Sequence, residues 1–280
     1  MRRASIGLAA LAMLAAFPAA AQPAGSEEGG VVVRRPSLMR NLVSAAKIEQ
    51  AAVEQYGQLR SQASSRGSLL PPDDATAKRV QRIADALLPH TRKWNPRAKE
   101  WQWEVIVIKA PTINALCMPG GKIAVFSGIL DGLKLTDDEL AVVLGHEMAH
   151  ALREHARARA AKVTLTNVST LAIGLVIGGN LGELAKQGGG LLTLKFNRDD
   201  EREADLIGLE LAARAGYDPQ AGVTLWEKMG KAARAGPPAW LSTHPSGEDR
   251  IRRTREALKQ VLPLYEKAKA NLPPAQPAAN

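Results

Sequence analysis

Two histidines four residues apart, with a glutamate directly after the first, stand in the run Val143-Leu144-Gly145-His146-Glu147-Met148-Ala149-His150. On a helix, residues at i and i+4 share one face, one turn apart. Both imidazoles then reach a single zinc ion, at Zn–N distances of about 2.0–2.1 Å. Glu147 falls on the adjoining flank. There it takes a proton from a water activated by the metal and returns it to a leaving amine. The competing reading is a chance H-E-x-x-H on an ordinary helix. The apolar Leu140, Val142, Val143 and Leu144 just ahead of the motif favour a buried, functional setting.

Zinc in peptide hydrolysis needs a third protein ligand and one open position. The run Arg198-Asp199-Asp200-Glu201-Arg202-Glu203-Ala204-Asp205 offers several carboxylates. Glu201 and Asp205 lie four apart, so both can face the metal helix. Spacing alone does not choose between Glu201 and Glu203. Of the other histidines, His155 is one residue off the next metal-facing position and reads as structural or exposed. His90, in a Pro-His-Thr turn, reads as exposed. The single cysteine, Cys117, permits no internal disulfide and reads as a small packed side chain rather than a nucleophile.

These residues need elements to hold them. Thr136 and Glu139 have capping-box spacing, so the metal helix should open there and run to about Ala161. Ahead of it, Trp101 to Ile108, Ile113 to Leu116 and Lys122 to Phe126 read as strands. Pro119-Gly120-Gly121 turns the last two into a hairpin-like pair. Asn114, Ala115 and Leu116 should form an edge strand over the cleft. An extended peptide adds to such an edge through backbone hydrogen bonds, with little sequence preference. The acidic run should lie on a helix from near Asn197 to about Ala215, ended by Gly216.

Further helices are expected over Leu38 to Leu59, after Asp73-Asp74, and over 219–234 and 246–268. Val163 to Leu181 is uncharged and approaches membrane-spanning length. Its Asn, Gly and Thr residues favour a buried or membrane-touching hairpin over a span.

Residues 1–21 combine Arg2-Arg3, an apolar core from Ile6 to Phe17 and Ala19-Ala20-Ala21. This is the pattern of a secretory signal peptide, with an uncleaved membrane anchor as the alternative. Residues 22–70 read as a flexible leader and an N-terminal helix, 71–265 as one catalytic domain, and 266–280 as a disordered tail. With 37 basic and 28 acidic residues the formal charge is +9. The charges are mixed along helices and do not alternate with aromatic residues, so nucleic acid is not the expected partner. Attraction to an anionic membrane surface fits better.

Four segments together carry a more specific pattern than the zinc motif alone. They are Asn114-Ala115 through Pro119-Gly120-Gly121, His146 to His150, Glu201-x-x-Ala204-Asp205, and Thr243-His244-Pro245 with Arg250-Ile251. They resemble the gluzincin metalloprotease family. That family includes the CAAX prenyl-protein endopeptidases, the HtpX membrane proteases and the periplasmic BepA and LoiP proteases, and the chain is most similar to the LoiP- and BepA-like members. The resemblance spans roughly residues 70 to 255.

It implies an α+β, zincin-like fold with a small β-sheet, an HExxH helix and a glutamate-ligand helix. It implies one Zn2+ per chain, held by His146, His150 and Glu201. Glu147 is then the general base and acid, and Asp205 supports the site by orienting a zinc histidine. In BepA-like members the histidine matching His244 can approach the zinc and hold the enzyme inactive. Such a histidine could instead stabilise an oxyanion, or simply be a surface histidine ahead of a helix. The short length is similar to LoiP-like members, and BepA's C-terminal repeat domain is not expected.

The expected function is therefore zinc-dependent hydrolysis of internal peptide bonds in misfolded or unassembled envelope proteins of the periplasm, barrel precursors and their assembly machinery among the partners. The alternatives are a latent zinc-containing chaperone or assembly factor occluded by His244, and a membrane-embedded protease.

Overall fold

The computed structural model describes residues 29–168, 195–236, 238–244 and 249–271. The expected signal peptide, most of the apolar stretch from 163 to 181 and the last residues of the tail lie outside the described residues. Among those described, no helix is long and apolar enough to cross a membrane.

A three-stranded sheet is built from β1 (Glu104–Ile108), β2 (Ala115–Met118) and β3 (Lys122–Phe126), in the order β1-β3-β2. β1 pairs parallel with β3, Glu104 opposite Lys122; β2 pairs antiparallel with it, Ala115 opposite Val125. The hairpin turn needs left-handed backbone, and Gly120 and Gly121 both have φ of +82°. A Cβ on Gly121 would meet the Trp103 ring at 2.7 Å. The first strand begins at Glu104 rather than Trp101, because Trp101 and Trp103 pack on each other instead, at 5.4 Å. The second begins at Ala115 rather than Ile113, whose carbonyl accepts the Trp240 amide at 3.1 Å.

The helices are α1 (Ala45–Ser65), α2 (Ala75–Leu87), α3 (Ser127–Leu133), α4 (Asp137–Leu152), α5 (His155–Val168), α6 (Arg198–Arg214), α7 (Ala221–Ala235), α8 (Ala239–Thr243) and α9 (Arg250–Asn271). Polar caps fix several starts. Asp74 accepts two amides of α2. Thr136 with Glu139 and Asn197 with Asp200 form full capping boxes on α4 and α6. The buried faces of α2, α4, α6, α7 and α9 meet the sheet in one core, with Leu140, Leu144, Met148 and Ile207 fully enclosed.

Four further sequence expectations are corrected. The helix expected from Leu38 is a 3-10 turn, Leu38–Leu42, then a break before α1. At that break Val43 gives its carbonyl to Arg157 at 2.6 Å. The metal helix does not run to Ala161. It ends at Leu152, and the chain redirects through Glu154 at φ +55°. Arg40 and Arg157 hold the Glu154 carboxylate there, at 3.0 and 2.7 Å. The leader is docked from Val31 onward, with Val31 buried and its amide donating to Glu210 at 2.7 Å. The tail stays helical to Asn271, with Leu264 buried and Lys269 over the Tyr265 ring.

Candidate active site

The site forms where α4 crosses α6 with no side chains at the crossing. A Cβ on Gly145 would meet the Gly208 carbonyl at 2.7 Å, and one on Gly208 would meet the His146 amide at 2.7 Å. With both positions bare, the helices approach until α6 carries Glu201 and Asp205 to His146 and His150.

The described residues contain a group of four buried ligand-type side chains: His146, His150, Glu201 and His244. His146 Nε2 lies 3.1 Å from His150 Nε2 and 3.2 Å from His244 Nδ1. His244 Nδ1 lies 3.0 Å from Glu201 Oε1. Glu201 Oε1 and Oε2 lie 3.5 Å from the Nε2 atoms of His150 and His146. Ligands around one tetrahedral zinc at ordinary Zn–N distances stand about 3.3 Å apart, so the spacing fits a zinc ion. The donor set fits too, being three imidazoles and a carboxylate. Glu201 Oε2 is, moreover, a buried acceptor without a hydrogen bond, though the Arg250 guanidinium lies 3.0 Å away.

The outward nitrogens of both motif histidines are occupied. His146 Nδ1 lies 3.0 Å from Asp205 Oδ1, and Arg250 donates to both Asp205 oxygens at 2.7 and 2.8 Å. The Arg250 guanidinium stacks on Trp226, 3.6 Å from the ring centre. Burial works against an Asp205 carboxylate, but Arg250 and His146 outweigh it and bring its pKa down to about 2. His150 Nδ1 lies 3.0 Å from His155 Nδ1, and Phe196 stacks on the His150 ring at 3.9 Å. Burial and the neighbouring His146, His244, His155 and Arg250 push the His150 pKa well below its ordinary value. Its neutral ring therefore keeps a lone pair for a metal.

Glu147 Oε1 accepts the Trp240 indole hydrogen at 2.7 Å and lies 3.6 Å from His244 Nε2. His244 stacks on Trp240 at 4.5 Å. Burial depresses its pKa, yet the Glu147 and Glu201 carboxylates more than offset that and raise it. Glu201 is held low against its burial by His244, His146 and Arg250.

Asn114, Ala115 and Leu116 line the same cleft as Glu147, His150 and His244. Among the described residues, β2 is an edge strand. Asn114 gives its carbonyl to the Phe126 amide at 3.1 Å. By strand alternation Leu116 also pairs inward, so the backbone groups of Ala115 and Cys117 point to the open side.

All the sequence-selected site residues thus come together. Of the two alternatives for His155, structural or exposed, the structure shows a buried side chain, and His90, read as exposed, is half-buried. Burial also lowers the His90 pKa. Sequence reasoning missed Trp240, Trp226 and Phe196, and gave Arg250 no role. One local signal existed: Trp240 stands four residues before His244, a helical spacing that brings their rings together.

The model of peptidase family M48 matches residues 74–258. The chain is 39% identical over 171 residues to the mitochondrial metalloendopeptidase OMA1 of Arabidopsis thaliana, covering 60% of this chain and 34% of that protein. It is 28% identical over 204 residues to the metalloprotease LoiP of Escherichia coli, covering 69% and 75%. It is 32% identical over 170 residues to a putative beta-barrel assembly-enhancing protease of Vibrio cholerae, covering 56% and 35%. The chain spans from about a third to two thirds of the length of the mitochondrial relatives it matches.

Proposed function

Because the chain belongs to peptidase family M48, we propose that it is a zinc metalloendopeptidase cleaving internal peptide bonds of misfolded or unassembled cell-envelope polypeptides. The observation that carries this reading is the convergence of His146, His150 and Glu201 to within 3.5 Å of one another, beside Glu147.

His146, His150 and Glu201 hold one zinc. Zinc so held supplies Lewis acidity, which makes water nucleophilic near neutral pH. Asp205 orients His146 and keeps its Nε2 turned inward. Glu147 accepts the proton of the attacking water at its carboxylate and delivers it to the departing amide nitrogen. Trp240 fixes that carboxylate through Oε1. A substrate strand lies along β2, taking hydrogen bonds from its open edge. This edge reads backbone and not side chains, which suits unfolded substrates.

The cellular role rests on two supports. Residues 1–21 carry an export-signal pattern, and two bacterial relatives are named as a metalloprotease and a beta-barrel assembly-enhancing protease. Both support a location in the periplasm, free or membrane-associated. Carbonate extraction of membranes separates a released protein from an embedded one.

Purified protein with stoichiometric zinc should digest casein or an unfolded barrel protein. Glu147→Gln should abolish cleavage while keeping zinc; undiminished cleavage by that variant rejects the mechanism. The position of His244, 3.0 Å from Glu201 and 3.2 Å from His146, favours a second reading. In it His244 fills the fourth ligand position and the enzyme rests in a latent state. His244→Ala should then raise cleavage, whereas a loss assigns His244 to the oxyanion.

A further inference from the structure

His155 and Glu203 have no part in the mechanism above, yet both are buried beside it, at 5% and 7% exposure. His155 Nδ1 lies 3.0 Å from His150 Nδ1, and His155 Nε2 lies 3.4 Å from Glu203 Oε2. Arg153 donates through Nε to Glu203 Oε1 at 2.5 Å, and also to the Arg34 carbonyl.

The protons in this row have one consistent arrangement once His150 is a ligand. A ligating histidine presents a lone pair on one nitrogen and carries its hydrogen on the other. His150 Nε2 faces His146 and Glu201, so its hydrogen sits on Nδ1. That hydrogen needs an acceptor, and His155 Nδ1 is in place. His155 must then carry its own hydrogen on Nε2, the nitrogen that faces Glu203. A carboxylate there can only accept, so Glu203 selects this tautomer.

The geometry points to His155 as a positioning residue that locks the ring orientation and tautomer of His150 for metal binding, with Glu203 and Arg153 fixing His155 in turn. Asp205 does the same for His146 directly; at His150 the carboxylate acts through a second imidazole. The helix break makes this possible. On a continuous helix, position 155 would sit about 140° around from His150. The left-handed turn at Glu154 lies between them and starts α5 at His155 itself. The inference rests on the ligand role of His150 proposed above.

Two substitutions in the full chain separate positioning from packing. His155→Asn keeps an acceptor near the Nδ1 position and loses the ring. His155→Phe keeps a ring and loses the acceptor. Zinc affinity is read by competition with a chromogenic chelator. Positioning predicts near-native affinity for the Asn variant and about 10–100-fold weaker binding for the Phe variant. It also predicts an altered visible spectrum for the Co2+-loaded Phe variant. An Asn variant that binds no more tightly than the Phe variant overturns the inference, as does native affinity in the Phe variant. His155→Ala carries the same expectation as Phe where the larger ring prevents folding. His146→Ala is the control. If it retains one zinc per chain, the ligand reading itself fails; if it loses zinc while His155→Phe binds normally, only the role of His155 fails.

Discussion

The side chain that most constrains Glu147 is Trp240, 93 residues away in sequence and 2.7 Å away in space. Its indole can only donate, so it fixes one carboxylate oxygen and leaves the other free to take a proton. Trp240→Phe keeps most of the ring contact with His244 and Trp226 and removes that donor. A hydrogen bond to a charged group contributes about 1.5–3 kcal/mol, so kcat should fall about ten- to a hundredfold with KM little changed. Steady-state kinetics on a quenched peptide checks this; an unchanged kcat removes Trp240 from the mechanism. Legibility at this scale follows sequence distance. His146, Glu147 and His150 are readable because one helical turn relates them. Glu201 could not be told from Glu203 by spacing, and the structure shows why the two are alike in sequence: both are buried, Glu201 against His150 itself and Glu203 against His155, which faces the other nitrogen of His150. Trp240 and Arg250 were silent because their contacts are made across 93 and 45 residues.

The element that decides the site is the crossing of α4 and α6, and it depends on two absent side chains. Gly145→Ala puts a methyl group 2.7 Å from the Gly208 carbonyl. Backbone cannot swing aside, so the helices must part. Overpacking of this kind costs about 1–3 kcal/mol, or roughly 2–12 °C in Tm for a domain of this size. Because Glu201 rides on α6, zinc affinity should weaken as well. Differential scanning fluorimetry with and without zinc measures both; a Gly145→Ala protein with native Tm contradicts the crossing.

The N-terminus of α4 makes a pH prediction. Glu139 is buried, accepts the Thr136 amide at 2.8 Å, and is held by Lys228 at 2.6 Å and Thr224 at 2.7 Å. Burial would raise its pKa, but Lys228, the Thr136 amide and Thr224 lower it. A depressed carboxylate gives stability that is full above its unfolded pKa, about 4.3, and lost as pH falls through the folded value. Tm should therefore drop below about pH 4.3, and Glu139→Gln should flatten that fall. The caps on α2, α4 and α6 were legible because a cap is local chemistry. The end of α4 was not, because Glu154 is neither glycine nor proline and is held left-handed by Arg40, more than a hundred residues earlier.

At the scale of the whole molecule, the described segment ahead of the first helix, from Gly29 onward, is part of the fold. The composition ahead of the N-terminal helix, rich in Gly, Pro and Glu with few apolar side chains, reads as a flexible leader. What composition cannot show is that one of those few, Val31, enters the core at 4% exposure. Its amide reaches Glu210, a fully enclosed carboxylate that also pairs with Lys93 at 2.5 Å and Arg214 at 2.7 Å. A Cβ at Gly30 would collide with that carboxylate, so the glycine is needed for the approach. Farther along, Arg34 pairs with Asp199 at the start of α6 and gives its carbonyl to Arg153. The segment thus ties the first turn of the glutamate helix to the break after the metal helix. Removing it should be felt by the catalytic domain. Burying a valine contributes about 1.5–3 kcal/mol, and the surface pair at Arg34 adds little. A chain beginning at Ser37 should therefore melt roughly 3–12 °C lower than one beginning at Gln22. Val31→Ala in the longer chain should reproduce part of the loss. A flexible leader predicts identical melting for both chains, so equal Tm values would undock the segment and return it to what its composition suggested.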